Sequence, residues 1–310
     1  MKLSVVIPCY NEEEIIEQAN LRLQTLIYTW IKNGLIDESE TVYVNDGSQD
    51  KTSAILKQIA EDDITVKVIS FSSNFGHQSA LIAGIRYASG NAIVSLDADL
   101  QDPPEIIEEM LKKFKQGSEI VYGVRKSRHK DSLFKRLTAQ YYYKLMRFMG
   151  VNLIYDHADF RLISKRVKEE LERFVEVNLF LRGIFPKMGF EQSTVEYERK
   201  ERLAGDTKYP LKKMLSFAIE GITSFTYFPL RLIAVSGCFL FVASLLLSFW
   251  AIITKLFGNT VPGWASIVIP TYLLGGVQLM FLGIVGEYIG KIYVEIKKRP
   301  LYIVRETINI

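Results

Sequence analysis

Ser95-Leu96-Asp97-Ala98-Asp99-Leu100-Gln101-Asp102 follows Ile93 and Val94, so an apolar run empties into two carboxylates one residue apart. The run has the length and character of a buried strand. Side chains alternate along a strand, so Asp97 and Asp99 leave it on the same side, and Gln101 is the next candidate on that face. Oxygen-only ligands favour Mg²⁺ or Mn²⁺ over zinc, and these ions complete their shells with phosphate oxygens. A nucleotide diphosphate is therefore the leading ligand. The competing reading is local. Asp102-Pro103-Pro104-Glu105 opens an amphipathic run through Ile106, Ile107, Met110, Leu111 and Phe114 to Gly117, and aspartates also cap helices.

The residues upstream repeat the pattern. LSVVIP (3–8) ends at Pro8-Cys9-Tyr10-Asn11-Glu12 and is followed by helical spacing on Ile15, Ile16, Ala19, Leu23, Ile27 and Trp30. A second apolar stretch, Thr41 to Val44, ends in Asn45-Asp46-Gly47-Ser48, and a third, Val66 to Phe71, ends in Ser72-Ser73-Asn74. Strand, polar end and helix alternate, which predicts a parallel, doubly wound α/β sheet whose ligands bind outside the carboxyl ends of the strands. Asn45-Asp46-Gly47-Ser48 taken alone is also an ordinary turn and cap. The functional reading gains because several such ends must converge beside Asp97 and Asp99.

VVIPCYNEE, VNDGSQD and SLDADLQDPPE, in this order and spacing, resemble the family-two inverting glycosyltransferases of the GT-A fold. Asp159-Phe160-Arg161 and Gly205-Asp206-Thr207-Lys208-Tyr209 resemble the branch that loads sugars onto polyprenyl phosphates, such as dolichyl-phosphate mannose synthases and bactoprenyl glucosyltransferases. That branch usually carries Ser where this chain has Thr207, a change that keeps the hydroxyl. The resemblance spans nearly the whole chain and implies a Rossmann-like GT-A mixed sheet flanked by helices. It further implies a nucleotide-sugar donor, with UDP-glucose preferred, and a polyprenyl phosphate acceptor. Asp97, Asp99 and Gln101 would hold Mg²⁺ or Mn²⁺, while Asp97, Ala98 and Gln101 border the donor. Asp46 would accept the N3 proton of uracil, and Pro8, Tyr10 and Glu12 would pack around the nucleoside. Arg202 and Lys208 would add positive charge on a loop, Arg199 to Tyr209, that closes over the diphosphate. Asp159 matches the catalytic base position, and Asp99 joins it as the other catalytic carboxylate.

A phosphate monoester with a second pKa of about 6 is already largely dianionic near neutrality, so Asp159 has little proton to remove and can instead orient Arg161 toward a phosphate. Arg125, followed by Lys126, Arg128, Lys135 and Arg136, is a candidate clamp for a lipid monophosphate; the alternative is an exposed basic surface.

The apolar residues of this 310-residue chain, 48% hydrophobic despite 24% charged, are concentrated after Arg231. Leu232 to Thr254 and Ala265 to Gly286 contain no charged residue, and each is near the ~20 residues that cross a bilayer. Lys212, Lys213 and Arg231 precede the first stretch, Lys291, Lys297, Lys298 and Arg299 follow the second, and the connecting loop has only Lys255, which puts both ends of a hairpin in the cytoplasm. Before it, Leu211, Met214, Leu215, Ala218, Ile219 and Ile222 at helical spacing predict an interfacial amphipathic helix, with a core helix as the alternative. The expected plan is a cytoplasmic catalytic domain (1–208), a juxtamembrane helix (209–230), two membrane helices within 231–290 (about 232–254 and 265–287), and a cytoplasmic tail (291–310). LSVVIP is too short and too quickly acidic for a signal peptide. Cys9 and Cys238 imply no disulfide framework. A net charge of +3 is too small to suggest nucleic acid and fits anionic lipid headgroups near the hairpin.

The expected activity is inverting transfer of a hexose to a polyprenyl phosphate at the inner membrane, by an enzyme whose relatives form homo-oligomers, a tetramer included. The alternatives are another sugar (mannose, aminoarabinose or N-acetylglucosamine), a processive polysaccharide synthase, or a non-catalytic nucleotide-sugar sensor. The second normally carries Gln-x-x-Arg-Trp, which is missing near Leu181-Arg182-Gly183.

Overall fold

The first apolar stretch folds as β1 (Lys2–Cys9), and its residues from Leu3 onward are buried, as expected of a strand covered on both faces. The computed structural model describes residues 1–99, 101–126, 157–174, 181–198, scattered positions between 229 and 253, and 263–310. In chain order β1 is followed by α1 (Ile16–Lys32), β2 (Glu38–Asn45), α2 (Thr52–Asp62), β3 (Val66–Phe71), α3 (His77–Tyr87) and β4 (Ala92–Ser95). A short 3₁₀ turn (Pro104–Ile106) then runs into α4 (Ile107–Lys115), followed by β5 (Ile120–Arg125), β6 (His157–Ser164), α5 (Lys165–Leu171), α6 (Leu181–Lys187) and β7 (Gln192–Tyr197). After these come the 33-residue α7 (Trp264–Ile296) and β8 (Val304–Ile308).

Among the described residues eight strands form one sheet in the order β7-β5-β6-β4-β1-β2-β3-β8. β4, β1, β2 and β3 are parallel, as the alternation of strand and helix predicts. The sheet is nevertheless mixed, because β6 runs antiparallel to both β4 and β5, and β8 runs antiparallel to β3. The parallel part read from the strand and helix pattern and the mixed sheet implied by the family resemblance are both what forms. β6 decides the site. Ser95 pairs with Arg161 in the β4–β6 register, and continuing that register two residues beyond β4 sets Asp97 opposite Asp159.

One face of the sheet buries Leu3, Val5, Ile7, Tyr43, Val68 and Val94 against Ile16, Ala19, Leu23, Ile27 and Trp30 of α1 and Met110 and Leu111 of α4. The spacing of the α1 residues is the one read from the sequence. Each fully buried aliphatic side chain contributes roughly 1.5–3 kcal/mol, so this layer is the main source of stability. At the amino ends of the strands the buried carboxylate of Glu40 accepts from Ser4 Oγ (2.6 Å) and Ser89 Oγ (2.7 Å) and pairs with Lys2 (2.9 Å) and Lys67 (3.0 Å). Burial alone would raise this carboxyl, but the hydrogen bonds outweigh it and hold it at about 2.

The chain divides into two compact units. One comprises Met1–Phe148, Asn152–Tyr209 and Arg299–Ile310, and the other Met149–Val151 and Pro210–Lys298. The expected tail is thus partly built into the catalytic sheet. β8 covers the edge of β3, Ser72 donates to the carbonyl of Ile303 (2.9 Å), and Tyr302 stacks on Phe71 at 4.9 Å between ring centres. Asn309 donates to the carbonyls of Ala60 (2.6 Å) and Val66 (2.9 Å). A polar, charged terminal segment gives little strand signal, and its pairing depends on an unpaired edge far away in sequence. Truncation before Arg231 would remove this strand together with everything between.

In the second unit, α7 carries the second apolar stretch of the sequence. Among the described residues no helix is long and apolar enough to cross a membrane. The fold therefore gives the two-helix hairpin no support, and most of the first expected span, like the helix expected at 209–230, lies outside the described residues.

Candidate active site

The loops after β1, β2 and β3 are joined to one another by side chains reaching for backbone groups. The Asn11 amide donates to Ser48 Oγ (3.0 Å), the Gln49 amide to Asn11 Oδ1 (2.8 Å), the Glu12 amide to Thr52 Oγ1 (2.8 Å) and the Glu13 amide to Asp50 Oδ2 (3.2 Å). Polar turn residues satisfy exposed backbone in this way, and here they also bring distant strand ends together. Asn11 adopts the left-handed region (φ 55°), which Asn tolerates better than most residues.

Gly47 fixes the next junction. Its φ is +69°, and an added Cβ would run into the backbone of Ser73, so the loops after β2 and β3 pack this closely only around glycine. Gly47→Ala is expected to lower stability by roughly 1–3 kcal/mol, the cost of a strained backbone plus displacement of the neighbouring loop. Denaturant unfolding of the purified protein checks this, and an unchanged midpoint would remove Gly47 as the constraint on the two loops.

Asp46 is buried and accepts from the amides of Phe75 (2.7 Å) and Gly76 (2.9 Å). Burial raises its carboxyl, and the two amides and His77 pull it back only in part. Asp46 therefore moulds the loop leading into α3, and each oxygen keeps a second lone pair for another donor. Pro8 lies buried in β1, Tyr10 is exposed beyond it, and Glu12 sits in the loop stitched to Thr52.

At the end of β4, Asp97 and Asp99 border the crevice and Ala98 is buried between them. Asp99 Oδ1 accepts the Gln101 amide (3.1 Å), and the Gln101 side chain is buried with its Oε1 lacking a hydrogen-bond partner. Asp102 is no helix cap. It accepts from Tyr197 Oη (2.6 Å) and pairs with Arg125 Nη2 (3.3 Å), and the turn at Pro104 has no side-chain cap. The local capping reading therefore fails for this residue, because its carboxylate is taken up by β5 and β7. Asp97 is 36% exposed, yet protein surrounds it on its other sides. Burial is the largest influence on its carboxyl; His77 lowers it, while Asp159, Asp102 and Asp99 push upward, leaving it at about 6.

Asp159 lies 7% exposed between two guanidiniums. Arg161 Nη2 donates to Oδ1 at 2.5 Å, while Arg182 donates through Nε to Oδ1 (3.2 Å) and through Nη2 to Oδ2 (2.8 Å). Gln78 Nε2 adds a contact to Oδ2 at 3.4 Å, and His77 Nε2 stands 3.8 Å from Asp159 Oδ2 and 3.7 Å from Asp97 Oδ1. Burial by itself would raise this carboxyl; Arg182 and Arg161, with help from His77, overcome it and hold it well below the usual range. The Ser95 hydroxyl donates to the Asp159 carbonyl, which fastens β6 to the end of β4.

Of the residues expected from sequence, the structure thus gathers Asp46, Asp97, Ala98, Asp99, Gln101 and Arg125, from the carboxyl ends of β2, β4 and β5, with Asp159 and Arg161 from the antiparallel β6. Arg136, Arg202 and Lys208 lie outside the described residues. Sequence reasoning does not single out His77, Gln78 or Arg182. His77 and Gln78 begin α3 three and four residues after the third polar strand end, whereas Arg182 reaches Asp159 from a helix 23 residues further on and has no local signature.

An oxygen-ligated divalent cation suits this set. Among the described residues no group of three or more His, Cys, Asp or Glu is placed to hold a metal ion. The available donors are two aspartates, one with a raised carboxyl, and beside them a buried amide oxygen without a hydrogen-bond partner. That is the sparse set Mg²⁺ uses when phosphates and waters complete its shell.

A family model described as glycosyl transferase family 2 matches residues 4–172. The protein belongs to glycosyl transferase family 2. Similar proteins include the Bacillus subtilis uncharacterized glycosyltransferase YkoT, 48% identical over 303 residues, covering 97% of this chain and 90% of that protein. A Shigella flexneri SfII prophage-derived bactoprenol glucosyl transferase is 41% identical over 309 residues, covering 99% of this chain and 98% of its own. Among solved structures, glucosyl-3-phosphoglycerate synthase from Mycobacterium tuberculosis, in complex with Mn²⁺, UDP and phosphoglyceric acid, is 18% identical over 70% of this chain and 74% of its own, with a TM-score of 0.46.

Proposed function

We propose that the enzyme transfers glucose from UDP-glucose to a polyprenyl phosphate, with inversion and with the help of Mg²⁺ or Mn²⁺. The observation that carries this reading is the 41% identity, over 99% of the chain, to a bactoprenol glucosyl transferase. The convergence of Asp97, Asp99 and Asp159 supports it. When bound, the cation would be held by Asp97, Asp99 and Gln101 and would neutralise charge developing on the departing diphosphate. Asp46 and the surrounds of Pro8, Tyr10 and Glu12 take the nucleoside, and Arg202 and Lys208 close on the diphosphate. Arg125 and Arg136 border the acceptor side.

The protein works at the cytoplasmic face of the inner membrane in this reading. The uncharged stretches 232–254 and 265–286 anchor it as a hairpin, with basic residues on the cytoplasmic flanks. Exposed Ile267, Leu279, Met280 and Leu282 on α7 favour contact with lipid. By family resemblance the enzyme associates as a homo-oligomer, a tetramer included.

Membranes containing the protein, incubated with a panel of radiolabelled nucleotide sugars and extracted into organic solvent, test the donor and acceptor together. Label is expected in the lipid from UDP-glucose; label from GDP-mannose or UDP-N-acetylglucosamine alone would replace the sugar, and label only in polymer would replace the reaction.

Cation binding is expected to follow the Asp97 carboxyl. A proton must leave before the oxygen ligates, so Mn²⁺ affinity measured by calorimetry should weaken by up to about tenfold per pH unit below about pH 6 and level off above it. The folded carboxyl lies above its unfolded value, so the cation-free protein should also lose stability as pH rises from about 4 to 6. An affinity independent of pH between about 5 and 7 would take Asp97 out of the ligand set.

A further inference from the structure

Three aromatic rings stand in a file at the end of β3. Tyr302 stacks on Phe71 almost face to face, 4.9 Å between centres and 9° between planes, and Phe75 meets Phe71 edge-on at 5.8 Å and 87°. Stacked and edge-to-face pairs are the arrangements that aromatic quadrupoles favour, and they hold side chains in place beyond the area they bury. Phe71, in the middle, is only 2% exposed and packed on all sides. The file joins the carboxyl-terminal segment to the loop between β3 and α3, and both belong to one compact unit.

That loop reaches Asp46. The Phe75 and Gly76 amides donate one to each oxygen of its carboxylate, at 2.7 and 2.9 Å, so their placement sets the directions in which the remaining lone pairs point. The carboxyl-terminal segment holds the same loop a second time, through the Ser72 amide and the Ile303 carbonyl (2.9 Å), while Ser73 abuts Gly47, the residue after Asp46. A terminal segment tied down in this way is ordered, where most chain ends are not.

We infer that Tyr302 is a positioning residue for the donor nucleotide, acting through Phe71 and Phe75 on the carboxylate of Asp46. The inference rests on the reading of Asp46 as the partner of the nucleoside. Tyr302 touches neither donor nor acceptor. Its ring keeps the loop in the shape that aims Asp46 before the nucleotide arrives, so that little ordering is left to be done on binding. The contact is made by the face of the ring, and phenylalanine serves as well as tyrosine. Because free and reacting donor meet the same carboxylate, loss of the stack weakens donor binding and leaves the chemical step alone.

The test uses the purified full chain with Mn²⁺, and calorimetry of UDP binding beside initial rates. Tyr302→Ala should weaken UDP binding and raise KM for UDP-glucose by roughly 3- to 10-fold, the range an aromatic pair supports, with kcat and KM for a prenyl monophosphate unmoved. Tyr302→Phe should match the wild type. In a Phe75→Ala background Tyr302→Ala should add less than roughly a twofold change, because the relay is already broken. If Tyr302→Ala does not unfold cooperatively, Tyr302→Leu, which covers Phe71 without a stacked ring, takes its place and is read in the same way. Wild-type UDP affinity in that variant, equal losses for both substrates, or a full further loss in the Phe75→Ala background overturns the inference. Asp46→Asn separates it from the donor reading. Weak UDP binding by Asp46→Asn beside wild-type binding by the Tyr302 variant overturns the relay alone, whereas wild-type binding by Asp46→Asn overturns the reading of Asp46 and the relay with it.

Discussion

Asp99→Asn is expected to abolish lipid glycosylation, with a loss on the order of 10³-fold or more, while the protein stays folded. The substitution keeps the shape of the side chain and an oxygen able to accept the Gln101 amide, now 3.1 Å from Oδ1, so the local turn survives. It removes the charge. With one anionic oxygen donor gone, the cation is held by Asp97 alone among the charged ligands, and the leaving diphosphate loses the neutralisation on which its departure depends. Excess chelator should have the same effect on the wild type, reversed by added Mg²⁺ or Mn²⁺. Transfer at the full rate in chelator would take the cation out of the reaction.

For Asp159→Asn two losses are expected, one in stability and one in rate. Arg161 is wholly buried, its Nη1 already lacks a hydrogen-bond partner, and removing its carboxylate leaves a buried charge uncompensated. Breaking such a pair costs roughly 3–5 kcal/mol. The rate should fall by roughly 10²-fold through the disturbed geometry of the crevice, but the pH profile should keep its form. The sign follows from the depressed carboxyl: its stabilising contribution is complete above the ordinary carboxylate value and is lost only as pH falls toward the much lower folded value. Asp159 is therefore ionised throughout the neutral range, and any rise in rate through about pH 6 belongs to the acceptor phosphate. A general base would instead cost ~10²–10⁴-fold and take the low-pH limb with it. Loss of that limb in Asp159→Asn would restore Asp159 as the base.

Much of this is visible in the residues themselves, for a physical reason. Buried parallel strands write their presence as short apolar runs, and the polar residues that stop them mark the ligand side of the sheet. Asp46, Asp97 and Asp99 are legible on that ground. Asp159 is legible only through its likeness to a family motif, because its place depends on the antiparallel insertion of β6 beside β4, a pairing across more than 60 residues that no local pattern announces. Arg182 and β8 escape for the same reason: one needs α6 folded against β6, the other an open edge on β3. His77 is a different case. It begins α3 a few residues after a polar strand end that the sequence does reveal, so its place at the crevice is implied by position, but a single histidine at a helix start has no pattern of its own to set it apart.

The anomeric configuration of the product bears most directly on the claim of inverting transfer to a lipid phosphate. The purified full chain, given UDP-glucose, a polyprenyl monophosphate and Mg²⁺ or Mn²⁺, should yield a glycolipid whose sugar–phosphate coupling in the NMR spectrum is that of the β-anomer, opposite to the α-linked donor. An α-linked product, or glucose released to water with none on the lipid, would contradict the account.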